Sequence, residues 1–380
     1  MSDLTLTGAR VMGADGWLRE PVHIRGESLG TEPAARVIDL SGFDILPGIV
    51  DPHGDGFERH MAPRRGALRE RAAGMRACAA ELAANGITTA VLAQFWSWEG
   101  GMRGPDFACE VFEAVRDAAP DLAVDLRLQL RLETHYTDRF EAALDAVARF
   151  DIGYVVLNDH LPHDRLAAGR TPKRLTGQAL KSGRNPADHL ALMMNLHARR
   201  DAVPAALEAL CARLRARGVI LGTHDDHTEA QRKAGRALGA TVAEFPETAE
   251  AARAARDAGE PVVLGAPNVV RGASHAGNAA ANDLIAAGLC TALASDYHYP
   301  APARAAYRLA ELGIAPLHAA WKLISDGPAA LLGLADRGAV APGLRADLVI
   351  IERDTPRILG TISAGRIAYL THPLSARFIA

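Results

Sequence analysis

The stretch Leu46-Pro47-Gly48-Ile49-Val50-Asp51-Pro52-His53-Gly54-Asp55-Gly56-Phe57-Glu58 leads from a Pro-Gly break through an apolar run to a histidine and an aspartate two residues apart. In an extended strand residues i and i+2 face the same side, so His53 and Asp55 converge at a strand's C-terminal end. His-x-Asp alone is too short to carry weight. Its weight comes from seven further apolar runs, at residues 87–95, 124–133, 152–160, 218–226, 241–246, 261–268 and 290–297. Several close on chemistry: Glu133, His160, His224 and Asp296 each lie at or near the end of one. Most are separated by Ala-, Arg- and Glu-rich segments of helical character, such as 247–258. Eight buried parallel strands alternating with helices predict an α/β fold, a (β/α)8 TIM-type barrel that collects its chemistry at the strands' C-terminal ends.

The chain ends read differently. Leu4-Thr5-Leu6-Thr7, Val22-His23-Ile24-Arg25 and Arg36-Val37-Ile38-Asp39-Leu40 alternate apolar and polar between glycine-rich breaks, as antiparallel strands do. The tail repeats this at 346–351 and 361–370. The expectation is a small β-sandwich domain formed by both chain ends, residues 1–47 and 345–380, flanking a barrel at 48–344. The basic segment 162–185, with Arg165, Arg170, Lys173, Arg174, Lys181 and Arg184, reads as an extended loop over the barrel mouth.

Composition bounds the function. The 380 residues accommodate one barrel of roughly 250 residues and a small extra domain. A net charge of −3 and 5% aromatic residues argue against nucleic acid and anionic membranes as partners. Cys78, Cys109, Cys211 and Cys290 form no C-x-x-C pair, which argues against a disulfide framework or a zinc knuckle. With no basic-then-apolar leader and no run of 18 apolar residues, a soluble cytoplasmic protein is expected. The Ala-rich helical faces leave a homodimer open.

Imidazole nitrogens and carboxylate oxygens suit Zn²⁺ and similar divalent ions. His53, Asp55, Glu133, His160, His224 and Asp296 are the candidate ligands for one or two such ions, with Asp55 alternatively orienting His53. A bound ion lowers the pKa of water to about 7, and Asp296 is placed to take its proton as general base.

The ordered set resembles the amidohydrolase superfamily. Its members open with a β segment and a Leu-Pro-Gly-hydrophobic-hydrophobic-Asp-x-His motif, here Leu46 to His53. They close with a strand-end Asp, here Asp296, and a Pro-Gly-x-x-Ala-Asp-Leu motif, here Pro342 to Leu348. Within the superfamily the blocks His53-Gly54-Asp55-Gly56-Phe57-Glu58, Arg131-Leu132-Glu133, Asp159-His160, His224-Asp225-Asp226, Glu244-Phe245-Pro246 and residues 265–278 resemble a narrower family. These are the diphosphatases of the carbon–phosphorus lyase pathway that act on α-D-ribose 1-methylphosphonate 5-triphosphate.

That resemblance implies a phosphorylated small-molecule substrate, contacted by Arg64, Asn268, Arg271, His275 and Asp225. Asp225 and Asp226 could instead cap the next helix. Asp55 stands where the superfamily often has a second histidine. No lysine ends a strand, so Glu133 would bridge the metals. His160 and His224 fall one strand earlier than the usual fifth and sixth, and Leu161-Pro162-His163 replaces a customary Gly-Gln pair. Two other readings remain: an amidase or deaminase cleaving a C–N bond of a small cyclic substrate, and a metal-free binding protein on a retired barrel.

Overall fold

The computed structural model describes residues 3–62, 70–272 and 279–379. Eight strands form one sheet in chain order: β1 (Ile49–Gly54), β2 (Ile87–Trp96), β3 (Asp125–Glu133), β4 (Tyr154–Asn158), β5 (Ile220–His224), β6 (Val242–Glu244), β7 (Val262–Gly265) and β8 (Ala292–Ala294). A parallel bridge between Gly54 and Asp296 joins the last strand to the first. This is the (β/α)8 barrel that the strand pattern predicts. His160 therefore follows the fourth strand and His224 ends the fifth.

Parallel strands covered on both faces are apolar throughout. All ten residues of β2 are buried accordingly. β3 departs from this, because Asp125-Leu126-Arg127-Leu128-Gln129-Leu130-Arg131-Leu132-Glu133 alternates strictly. Its leucines take one face, and Gln129, Arg131 and Glu133 share the other. Helices begin where a side chain can satisfy the free N–H groups of the first turn. Thr228 and Gln231 build a reciprocal cap on the helix Glu229–Ala237, and Thr248 caps Ala249–Asp257.

By internal contact the chain divides into two units. One comprises Met1–Leu92, Ala118–Arg127 and Pro261–Ala380; the other comprises Ala93–Asp117 and Leu128–Glu260. The first contains two further sheets built from both chain ends. A four-stranded sheet runs in the order Ser28–Gly30, Val22–Arg25, Leu4–Thr7, Val37–Asp39. A six-stranded sheet runs Arg366–Leu370, Ile358–Ser363, Leu348–Glu352, Phe43–Pro47, Arg10–Met12, Trp17–Leu18. Leu6, Ile24, Ile45, Leu348, Ile350 and Ile362 belong to the apolar core they share. Not all pairing is antiparallel, as the alternation suggested. Leu4–Thr7 pairs in parallel with Val37–Asp39, and Arg10–Met12 with Phe43–Pro47. The chain leaves the four-stranded sheet after Leu4–Thr7, returns to it before Val22–Arg25 and leaves it again before Phe43–Pro47, so these neighbours meet by crossover and not across a hairpin.

In the second unit the segment 162–185 is not an extended loop. It contains the helices His163–Ala167 and Leu175–Lys181. Leu166 and Leu175 are buried with Trp98, Leu161, Met193 and Leu196 in one cluster, which holds these turns down. The basic residues between them masked that apolar spacing. All four cysteines are free thiols. No helix among the described residues is long and apolar enough to cross a membrane.

Candidate active site

The polar face of β3 organises the second unit. Glu133, fully buried at the strand's end, accepts hydrogen bonds at Oε2 from Trp98 Nε1 (3.0 Å) and from the His160 backbone N–H (3.2 Å). Its Oε1 meets His160 Nδ1. Burial works against a charged His160, but the Glu133 carboxylate outweighs it and raises the imidazole's pKa.

Arg131, two residues earlier on the same face, is 6% exposed and lies with Cζ 4.0 Å over the Phe95 ring. Its Nη2 is 3.0 Å from His224 Nε2. A guanidinium only donates, so Nε2 must be the accepting nitrogen and Nδ1 carries the proton. Asp225 Oδ2 lies 2.9 Å from that Nδ1. Burial, and then Arg131, hold the His224 pKa below its ordinary value. Burial opposes ionisation of Asp225 as well, but the His224 contact prevails and keeps its carboxyl below the usual range.

Gln129, the third member of the face, donates to Glu244 Oε1 at 2.9 Å, and Tyr154 Oη donates to the same oxygen at 3.1 Å. Glu244 Oε2 is 4.0 Å from His224 Nε2. The ends of β3 to β6 thus carry one hydrogen-bonded carboxylate–imidazole couple, Glu133 with His160, and a second carboxylate, Glu244, near His224.

In the first unit, β1 and β8 are tied by their backbones. The Asp296 N–H donates to the His53 carbonyl (3.0 Å), and the Asp55 N–H to the Asp296 carbonyl (2.9 Å). His53 is fully buried at the end of β1. Asp51, also fully buried, accepts from the Ser295 N–H (2.8 Å) and Oγ (2.6 Å). Burial pushes the Asp51 carboxyl up to about 7, against those two donors. Asp225, Phe245 and Asp296 hold left-handed backbone, with φ of 61°, 53° and 55°. Each costs of order 1–3 kcal/mol, and such strain collects at functional sites.

The structure thus places His53, Asp55 and Asp296 at β1 and β8, Glu133 and His160 at β3 and β4, and His224 with Asp225 at the end of β5. Asn268 and Arg271 share the helix Ala266–Arg271, where Arg271 Nη2 donates to Asn268 Oδ1 at 2.6 Å. Arg64 and His275 lie outside the described residues. Capping of the helix after β5 falls to Thr228, while Asp226 faces the buried Arg232 at 3.0 Å. Sequence reasoning missed Glu244, Arg131, Gln129, Tyr154, Trp98 and Asp51 as participants. Parity along β3 would have found Gln129 and Arg131, because they share a face with Glu133. Buried imidazoles beside buried carboxylates at strand ends are the donor chemistry of a divalent ion. Binding at His224 Nε2 requires Arg131 to move off that nitrogen.

Residues 45–372 match the family described as Amidohydrolase family. The chain belongs to the amidohydrolase family. Among curated proteins, this amidohydrolase is 34% identical over 329 residues to the alpha-D-ribose 1-methylphosphonate 5-triphosphate diphosphatase of Escherichia coli (strain K12), covering 83% of this chain and 85% of that one. It is 44% identical to an adenine deaminase of Gluconobacter oxydans (strain 621H), but over 61 residues, 16% of this chain and 11% of that one. Among solved structures, a Xaa-Pro dipeptidase shares the fold with a TM-score of 0.64 at 14% identity, over 96% of this chain and 99% of that one.

Proposed function

We propose that this amidohydrolase is a metal-dependent hydrolase that converts α-D-ribose 1-methylphosphonate 5-triphosphate to the 5-phosphate and pyrophosphate in phosphonate breakdown. The observation that carries the reading is the 34% identity to the Escherichia coli diphosphatase over 83% of the chain. His53, Asp55, Glu133, His160, His224 and Asp296 hold one or two divalent ions, and Zn²⁺ suits that mixture of imidazole and carboxylate. Such an ion, when bound, brings the pKa of water to about 7 and draws charge from a phosphoryl oxygen.

The chain's own groups do the rest. The water oxygen goes to the α-phosphorus, the α–β anhydride bond breaks, and pyrophosphate leaves. Asp296 takes the water's proton, from a backbone position fixed by its bonds to His53 and Asp55. Phosphoryl transfer spreads charge over peripheral oxygens and needs donors there. Arg64, Asn268, Arg271 and His275 supply them. Asp225, ionised against His224, is an acceptor and suits the ribose hydroxyls.

The test is pyrophosphate release from that triphosphate by purified enzyme. Asp296→Asn should lower the rate by at least ~100-fold, the scale of general-base contributions. The short match to an adenine deaminase favours C–N hydrolysis as the second reading. Ammonia release from purine substrates, with no pyrophosphate from the triphosphate, would establish it.

A further inference from the structure

A cluster that the proposed hydrolysis does not use lies within the second unit. His135 comes two residues after Glu133, Asp159 directly follows β4, and His163 opens the helix His163–Ala167. One ligand atom from each of the three lies within 4.8 Å of the others. His135 Nδ1 is 3.4 Å from Asp159 Oδ1, and His163 Nε2 is 3.1 Å from Asp159 Oδ2. The rings of His135 and His163 stand with centroids 4.5 Å apart. Behind them His197, buried near the end of the helix Pro186–Ala198, presents Nδ1 to His163 Nδ1 at 2.8 Å.

Two ring nitrogens at that distance share one proton: one donates and the other accepts. When His163 Nδ1 donates to His197, Nε2 is left with a lone pair aimed at a carboxylate oxygen, another acceptor. Acceptors so placed repel unless a cation or a second proton lies between them. The Asp159 carboxylate is held in place by the Leu161 N–H at 3.1 Å, and Thr134 Oγ1 lies 3.2 Å from His135 Nδ1. Pro162 at the turn fixes where His163 starts its helix.

We propose that His135, Asp159 and His163 form a second divalent-metal site, with His197 as a positioning residue that fixes the tautomer and orientation of His163. None of the three is among the groups assigned to hydrolysis. Two imidazoles and one carboxylate select a borderline ion such as Zn²⁺, Co²⁺, Ni²⁺ or Cu²⁺ over Mg²⁺ or Ca²⁺. The Asp159 side chain is 41% exposed, so a fourth position stays open to water and the ion exchanges with solvent. A ligating histidine normally donates its other ring N–H to an outer partner, and loss of that partner costs 10–100-fold in affinity.

The experiment is titration of the chelator-stripped, full-length protein with Co²⁺, read by calorimetry, elemental analysis and the visible d–d spectrum. The double variant His135→Ala/His163→Ala should bind one ion fewer per chain than wild type. His53→Asn, which disturbs only the hydrolytic set, should keep that ion. His197→Phe should weaken it by about 10–100-fold. Should the double variant fail to fold, Asp159→Asn, which keeps the side chain's shape, should weaken the same ion at least tenfold. Unchanged stoichiometry and affinity in a folded double variant or in Asp159→Asn would overturn the site and leave a plain hydrogen-bonded histidine pair. Loss of the same ion in His53→Asn would overturn its independence.

Discussion

His224 and His160 sit one strand apart and respond to pH in opposite directions. The pKa of His224 is lowered from 6.5, first by burial and then by Arg131. An unfolded chain takes up that proton near 6.5 while the folded one does not, so the stability it confers is present above this pH and lost as pH falls. For His160 the pKa is raised, because Glu133 outweighs burial. Its contribution is present below the ordinary value and lost as pH rises through the folded one. In metal-stripped protein, His224→Asn should flatten the fall in Tm below about pH 6.5, and His160→Asn the fall above it. Thermal melts across that range check both signs. Asp51 gives a third prediction at this scale. Asp51→Ala leaves the buried Ser295 N–H without its acceptor and should cost about 1–3 kcal/mol in urea unfolding.

Among the elements, β3 does most to shape the interior, and its partners set two further expectations. Tyr154→Phe removes a donor to the buried Glu244 and should destabilise by about 1.5–3 kcal/mol, the worth of a hydrogen bond to a charged group. Arg232, fully buried, joins Asp226 at 3.0 Å to Glu260 at 2.8 Å. Arg232→Ala takes the guanidinium from both carboxylates and leaves Glu260 with Arg236 alone, at 2.6 Å, and should cost about 3–5 kcal/mol by denaturant titration. The barrel strands were legible because burial on both faces leaves long apolar runs, and their number and order follow from those runs. Pairing in the terminal sheets was not legible, since the crossover that makes two pairs parallel depends on contacts far apart in sequence. The helices within 162–185 were hidden because their buried residues, Leu166, Leu175 and Ala179, are few among basic neighbours. Strand-end residues stood out wherever a histidine or aspartate closed a run. Glu244 did not, because one glutamate before Phe245-Pro246 looks like any turn residue until Gln129 and Tyr154 are seen to point at it.

At the scale of the whole molecule, the family fixes what kind of catalyst this is, and the chain's own residues narrow it. Imidazoles and carboxylates close β1 and β8 in the first unit and lie at or just beyond the ends of β3, β4, β5 and β6 in the second. Relatives of similar fold at 14% identity include a peptidase, so the architecture alone leaves the scissile bond open. The measurement that bears most directly on the central claim joins metal content to turnover in one preparation. Elemental analysis counts divalent ions per chain, and pyrophosphate release from α-D-ribose 1-methylphosphonate 5-triphosphate is followed before chelation, after it, and after Zn²⁺ is restored. The account predicts bound metal, release that stops on chelation, and recovery on reloading. Pyrophosphate released at an undiminished rate by fully stripped protein would contradict it.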